Sequence, residues 1–488
     1  MENDITKVRI FSAFLWKLLE KSGTQGFQFI LMIVLARLLL PEDFGLVVIV
    51  TIFISTASLL VESGFGEALI QKKNPDEIDY SSVFYLNIFV ASVLYGILYF
   101  AAPFIALLFE EPTIILILRV LSLVLFFGAL NLIQNVILTR TMQFKKLFIS
   151  SFGAIIISGV IGITMASTHF GVWALVGQQL SYQILFTIII WLTVGWRPKI
   201  IFSMKRIRRL FSYGSKLLVS SILYTSYLNL QSFLIGKMYS AATLGYYNRG
   251  MQLPSVIISN LNGSIQTVMF PALASQQDDK QKVKNMVRKT VAISSFIVFP
   301  MLVGLAVTAE SVIKILLNDH WLPAVPFLQI FCAYYAFWPI DTSNNQVIKA
   351  LGRSEIFLKL EVIKTIFGLT MMVIAMQFGA LAIAFGVLAF GVFSTIIGGY
   401  TNTKLINYSY KEQLKDILSP LCISLLMGVT VAGIELFQLS TLITLLLQII
   451  VGTVVYVCAS IIFKLDGFNY LLWTFNDMRR NKVVVDGA

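Results

Sequence analysis

Long apolar runs alternate with short polar breaks along the whole chain, and the runs have membrane length. A transmembrane helix needs about 20 mostly apolar residues, and that ruler predicts about fourteen spans. Six fall near 12–38, 45–65, 82–108, 113–137, 148–168 and 172–195. Six more fall near 212–236, 244–272, 290–309, 324–348, 356–376 and 379–402, with a last pair near 416–437 and 440–463. Polar residues and prolines interrupt the segments near 244–272 and 324–348. The pattern predicts an N-terminal six-helix lobe (1–196), a basic connector (197–211), a second six-helix lobe (212–405), an extra helix pair (406–463) and a polar tail (464–488). The expected fold class is an all-α integral membrane protein with about 14 transmembrane helices.

Composition agrees with the pattern. The chain is 57% hydrophobic and 13% charged, too apolar for an ordinary globular enzyme or a disordered chain. The net charge of +12 could suggest nucleic acid, but its distribution argues otherwise. With the N-terminus inside, the cytoplasmic breaks carry Lys72 and Lys73, then Arg140, Lys145 and Lys146, then the connector, then Lys280 to Lys289. The opposite breaks, such as Pro41-Glu42-Asp43 and Glu110-Glu111-Pro112, are nearly free of bases. This asymmetry places both termini in the cytoplasm. The first run holds Lys17, Glu20 and Lys21 with no small-residue cleavage site after it, which is unlike a removable signal peptide. In the connector, bases interleave with Ile200, Ile201 and Phe202, a composition suited to the anionic inner leaflet.

The two lobes repeat each other. Ala36-Arg37 and Phe44-Gly45 match Gly236-Lys237 and Leu244-Gly245, and Lys17-Leu18-Leu19 matches Lys216-Leu217-Leu218. Internal repeats of this kind mark transporters, with the substrate at the repeat interface.

Polar residues inside spans are costly and face a protein interior or a water-filled cavity. On the first span Lys17, Lys21, Thr24 and Gln28 fall within about 60° of one another, flanked by Glu20 and Gln25, over about 16 Å of helix. On the eighth, Arg249, Gln252, Ser259, Asn260, Gly263 and Thr267 share one side, interrupted by Pro254. The tenth adds Asp341, Asn344 and Asn345 after Pro339, and the fourth carries Arg119 with Asn131, Gln134 and Asn135 deeper. Lys359, Glu361 and Lys364 on the eleventh read equally as an ion pair or as cavity residues. The substrate-binding set expected from this is Lys17, Glu20, Lys21, Gln25, Gln28, Arg119, Arg249, Gln252, Asn260, Asp341 and Asn345. Its basic balance with amides suits an anion rich in hydroxyls, such as a sugar joined to a phosphate. Glu62 and Glu67 flank Gly64-Phe65-Gly66, which is too short for a nucleotide loop and reads as a tight turn.

Catalytic and metal readings find little support. Cys332, Cys422 and Cys458 lie inside apolar runs, and His169 and His320 are far apart, so neither a disulfide framework nor a metal site is expected. No nucleophile set or phosphate loop is visible, and no catalytic residue is expected.

Several stretches resemble a known family. Ala36-Arg37-Leu38-Leu39-Leu40-Pro41-Glu42-Asp43-Phe44-Gly45 resembles the opening signature of the polysaccharide transporter family. Gly64 to Lys72, Leu138-Thr139-Arg140 with Phe144-Lys145, and Ala350-Leu351-Gly352-Arg353 resemble its later landmarks, in order and spacing. The resemblance implies two six-helix lobes in a V related by a pseudo-two-fold axis, plus two C-terminal helices, in a superfamily that also holds multidrug exporters and the lipid II flippase. It implies a flippase that moves an undecaprenyl-pyrophosphate-linked oligosaccharide from the inner to the outer leaflet of a bacterial plasma membrane by alternating access. The expected partners are that polyprenyl-linked substrate, membrane lipids and polysaccharide polymerase machinery, with no nucleic acid. No cofactor is expected, and a coupling ion, H+ or Na+, is left open. The alternative on the same fold is a cation-coupled small-molecule exporter, which would need an acidic centre near Glu62 or Asp341. A membrane glycosyltransferase would need a long loop with catalytic acids, and none is seen.

Overall fold

The computed structural model describes the backbone of residues 2–471 except 63 and 73. Side chains are described over that range except at 2–15, 17–18, 354 and much of 212–228. The chain divides into two compact units, Met1–Gly245 and Tyr246–Ala488.

The first unit opens with α1 (Glu2–Leu38) and α2 (Pro41–Glu62). Proline is pre-organised for a first helical turn, and Glu42 and Asp43 follow it where the helix dipole favours acids. Gly64 then adopts a left-handed conformation (φ 67°) and starts α3 (Phe65–Gln71). Gly64 is thus the turn, Phe65 and Gly66 open the helix, and Gly66 lies against Leu132. Next comes α4 (Glu77–Phe109), opened by a capping box in which Asp76 and Asp79 each accept the other's backbone N–H. Such a cap stabilises a helix start by about 1 kcal/mol.

The segment expected as one span at 113–137 is two helices, α5 (Ile114–Leu121) and α6 (Val124–Arg140). The backbone N–H groups of Leu123, Leu125 and Phe126 each bond the carbonyl three residues back, which tightens the chain and breaks the α-helical ladder. After α7 (Phe144–Ser167) and α8 (Val172–Thr193), α9 (Met204–Met238) runs unbroken and packs on α2. The core joins Phe65, Leu69, Val83, Phe84, Ile133 and Ile207, with Trp191 and Trp196 against it. Arg140 ties α6 to the end of α3, its Nη1 donating to the carbonyls of Leu69, Ile70 and Lys72 at 2.7, 2.8 and 2.6 Å.

The second unit holds most of α10 (Ala241–Ala274), then α11 (Lys280–Val307), α12 (Ala309–Leu316), a 3-10 turn (Asp319–Ala324) and α13 (Val325–Ala350). It ends with α14 (Ser354–Ala375), α15 (Ala380–Ile406), α16 (Tyr410–Gly433) and α17 (Thr441–Ile462). Pro254 and Pro271 lie inside α10, and Pro339 inside α13, without ending either helix. In a membrane, neighbouring groups take up the backbone that proline frees; the Ser343 hydroxyl donates to the Pro339 carbonyl at 2.8 Å. The core runs through Leu273, Val283, Val287, Phe299, Val347 and Tyr408. Arg288 grips Asp416 with two bonds at 2.8 and 2.7 Å, and the Tyr408 hydroxyl donates to the same carboxylate.

The repeat is visible in the element bounds. Helix α1 ends at Leu38 and α9 at Met238; α2 begins at Pro41 and α10 at Ala241. The first turns of α2 and α10 touch through their main chains. A Cβ on Gly45 would fall on the Ala241 carbonyl, and one on Gly245 would fall on the Pro41 carbonyl. Lys237, near the end of α9, pairs with Glu110 at 3.5 Å.

Each predicted segment falls on a long helix or, at 113–137, on a helix pair. Nine helices among the described residues are long and apolar enough to cross a membrane. Their outward faces are apolar: Phe89, Ile97, Phe100, Phe104 and Leu107 of α4 are exposed, as are Leu446, Ile450 and Val454 of α17. Such continuous apolar surface needs hydrocarbon to cover it. This is a multi-pass membrane protein.

Candidate functional site

Helix α1 has one apolar face and uses it. Gly23 lies against Phe148, Phe27 meets Phe152 edge-on at 6.0 Å, and Gly159 receives Leu31 and Phe27. These contacts dock α1 on α7 through residues spaced four apart, the helical neighbour spacing. The rest of the helix is exposed and carries a polar row, Lys21, Ser22, Gln25 and Gln28, flanked by the exposed apolar Leu19 and Ile30. Glu20 and Thr24 sit half-buried at its margin. Lys17 lies outside the described side chains.

Depth matters here. Counting back from Leu38 at about 1.5 Å per residue puts Gln28 about 15 Å, Gln25 about 20 Å and Lys21 about 25 Å from that end of the helix. The hydrocarbon core is about 30 Å thick, so the amides lie at mid-depth with the ammonium beneath them. At comparable depth the exposed positions of α4 are Phe89, Val93 and Ile97 with one serine, Ser92, whose hydroxyl donates to the Ile88 carbonyl at 2.8 Å. An amide facing hydrocarbon at mid-depth has no partner and costs free energy, whereas Lys21, near the far boundary, can reach the interface. The row of Gln25 and Gln28 therefore suits a water-filled cavity.

Helix α10 carries the corresponding row in the second unit. Arg249 donates to the side-chain amide oxygen (Oε1) of Gln252 one turn on, and its guanidinium lies 5.9 Å from the ring of the buried Trp321. Gly250 lets α10 approach α13, because a Cβ there would come within 2.6 Å of Phe327. Beyond this anchored turn the row opens outward: Ser259 and Gly263 are half-buried, and Asn260, Ser264 and Thr267 are exposed.

A third group lies where α13, α14 and α15 meet. The Lys364 ammonium donates to Asp341 at 3.1 Å, Asn345 at 3.4 Å and Glu361 at 3.5 Å. Asp341 also accepts from the Ser394 hydroxyl at 2.8 Å and from the Asn345 amide at 3.0 Å. The Lys364 side chain is 3% exposed and Asp341 19%. Nearby, the Asn402 amide donates to Asn344 at 2.8 Å. An ammonium held by several acceptors in a protein interior is a fixed charge, and its neighbours are oriented by it.

The structure thus brings Arg249 together with Gln252, and Asp341 together with Asn345. Arg119 lies on α5 over the ring of Tyr99 at 4.1 Å, and its Nε donates to the Tyr99 carbonyl at 3.3 Å. Asn131, deeper on α6, donates to Thr187 of α8 at 2.8 Å and joins two helices. Lys364 and Ser394 complete the Asp341 group and stood outside the expected set. The spacing of Glu361 and Lys364 on one helix face was a signal for the first; a lone serine in an apolar helix gave none for the second.

Comparison with known proteins adds to this geometry. A family model described as polysaccharide biosynthesis protein matches residues 34–326. The teichuronic acid biosynthesis protein TuaB of Bacillus subtilis is 23% identical over 408 residues, covering 82% of this chain and 84% of that protein. The lipopolysaccharide biosynthesis protein WzxC of Escherichia coli is 25% identical over 411 residues, 82% of either chain. Among solved structures, the lipid II flippase MurJ in an inward closed conformation superposes with a TM-score of 0.68 at 17% identity. That match covers 94% of this chain and 98% of the flippase, and it shows a shared fold.

Proposed function

The chain belongs to the polysaccharide biosynthesis protein family, and on that premise we propose that it is a flippase for a lipid-linked oligosaccharide. The observation that carries this reading is the exposed polar row Lys21, Gln25 and Gln28 on a helix whose other side is docked on α7. A base beside amides suits a phosphate joined to hydroxyl-rich sugars. In this reading Lys17, Lys21 and Arg249 meet the pyrophosphate of an undecaprenyl carrier, while Gln25, Gln28 and Asn260 meet sugar hydroxyls. The carrier's tail stays in the bilayer. Alternating access moves the head group from the inner to the outer leaflet of a bacterial plasma membrane, with both termini in the cytoplasm. The work is transport, with no covalent step. The relatives named for teichuronic acid and lipopolysaccharide biosynthesis support a role in surface glycan assembly, where a polymerase would take up the flipped unit.

The exporter reading needs a dominant acidic centre, and Asp341 is met by the Lys364 ammonium. That neutralisation counts against Asp341 as such a centre and leaves Glu62 as its other candidate.

Deleting the gene in its host should abolish the surface glycan and leave lipid-linked repeat units on the inner leaflet. Restoring it with Lys21→Ala or Arg249→Ala should recover less glycan at equal protein level. Intact glycan in the deletion strain would end the flippase reading. Full recovery by both variants would remove those two residues from the site.

A further inference from the structure

The connector between α8 and α9 divides its charges into two sets. Residues 197–209 hold six bases, Arg197, Lys199, Lys205, Arg206, Arg208 and Arg209, and no acid. Three turn inward. Arg197 donates to the carbonyls of Trp191, Val194 and Trp196 at 2.7, 2.7 and 2.8 Å. Lys199 reaches Glu77 at 4.0 Å, and Arg206 reaches Asp76 at 3.0 Å. The main chain is tied down as well: the N–H groups of Lys199 and Ser203 donate to the hydroxyls of Ser81 and Ser82 at 3.1 and 2.9 Å. These bonds strap the segment across the N-terminal end of α4.

The other three bases turn out. Lys205, Arg208 and Arg209 are exposed, make no ion pair among the described residues, and with Met204 line an open cavity of about 460 Å³. Beside them the strapped backbone holds up apolar side chains. Ile200 is 97% exposed, Met204 57% and Phe202 50%. A segment fixed by so many bonds has no freedom to fold these residues away. Its position explains them: it joins the end of α8 to the starts of α4 and α9, and α4 and α8 are membrane-length helices. The segment therefore sits at the boundary of hydrocarbon and water.

We propose that this outward face is a docking surface for the headgroups of anionic phospholipids in the cytoplasmic leaflet. Ile200, Phe202 and Met204 enter the acyl boundary, and Lys205, Arg208 and Arg209 take the phosphates above it. The strap holds the two sets at fixed relative height, so the lipid surface meets a preformed template. This goes beyond the flippase reading and does not depend on it.

The test uses the full chain in neutral detergent. Ile200→Cys carries an environment-sensitive fluorophore, with the exposed Cys422 and Cys458 changed to serine; Cys332 is buried. Dioctanoyl phosphatidylglycerol, dioctanoyl phosphatidylcholine and inorganic pyrophosphate are titrated separately. Phosphatidylglycerol should shift the emission to the blue at lower concentration than phosphatidylcholine. Lys205→Gln with Arg208→Gln and Arg209→Gln should weaken it by roughly five-fold per charge removed and erase the preference. The charge-retaining triple change to Arg, Lys and Lys should keep it. Equal affinity for the two lipids, a preference that survives the glutamines, or a shift produced by pyrophosphate but not by phosphatidylglycerol would each overturn the proposal.

Discussion

Removing the Lys364 charge probes how the second unit is held at its centre. In Lys364→Met the stem is kept and the ammonium is lost. Asp341 then retains the Ser394 and Asn345 bonds but no cation, in a site where it is 19% exposed. Breaking a buried ion pair from one side costs about 3–5 kcal/mol, because a charge stays behind unmatched. The two remaining bonds and the residual exposure put the expected loss near the lower end, about 3 kcal/mol. Asp341→Asn alone leaves the ammonium with Glu361, which is more exposed, and should cost about 2 kcal/mol. The double variant holds no unmatched charge at Asp341 or Lys364. It should cost about 2 kcal/mol as well, well short of the sum of the singles. SDS titration of the full chain in mixed micelles, followed by tryptophan fluorescence, measures all four proteins. A double variant that loses the full sum of the singles would mean that the two charges do not meet, and the reading of Lys364 as a fixed internal cation would be wrong.

Two further predictions concern backbone and pH. Gly45→Ala and Gly245→Ala each drive a methyl into a facing carbonyl, so both should lower the melting temperature of the detergent-solubilised protein by several degrees or block expression. Gly26→Ala meets nothing within 4 Å and should raise stability by about 0.5–1 kcal/mol; a Gly45→Ala protein as stable as Gly26→Ala would refute the contact. At the connector, the backbone N–H of Asp79, then its side chain and Arg206, hold the Asp76 carboxyl below the usual range. Its contribution is complete above the ordinary aspartate pKa of 3.8 and is lost as pH falls further through the depressed value. Amide exchange over 197–206 should thus be pH-corrected flat from neutral to about 5 and accelerate only in stronger acid. Loss of protection already at pH 6 would point to another group.

Much of this architecture was legible because a bilayer imposes a length and a helix imposes a period. The runs from 148–168 and 172–195 could be read directly, since nothing but their apolar length decides them. The polar row of α1 was legible for the same reason: Lys21, Thr24 and Gln28 recur at helical spacing, and the docked face between them is Phe, Gly and Leu. Hydropathy could not show the break at Ser122, where a small polar residue in an apolar run looks like continuing helix. The partners of Lys364 were hidden for a different reason. Asp341 lies 23 residues before it and Ser394 a whole helix beyond, so only the packing of three helices brings them together. The connector's bases read alike in sequence; which of them find partners depends on carbonyls and acids supplied by α4 and α8.

The paired glycines of α2 and α10 have a mechanical consequence. A contact built from main chain alone has no rotamers to relax and no side chain to reach across a gap. If either helix slid along its axis by one residue, a carbonyl would meet a Cβ in place of a glycine. Turning about the point of contact brings no such collision. The pair therefore resists sliding of one first turn past the other far more than rotation about the point where they touch.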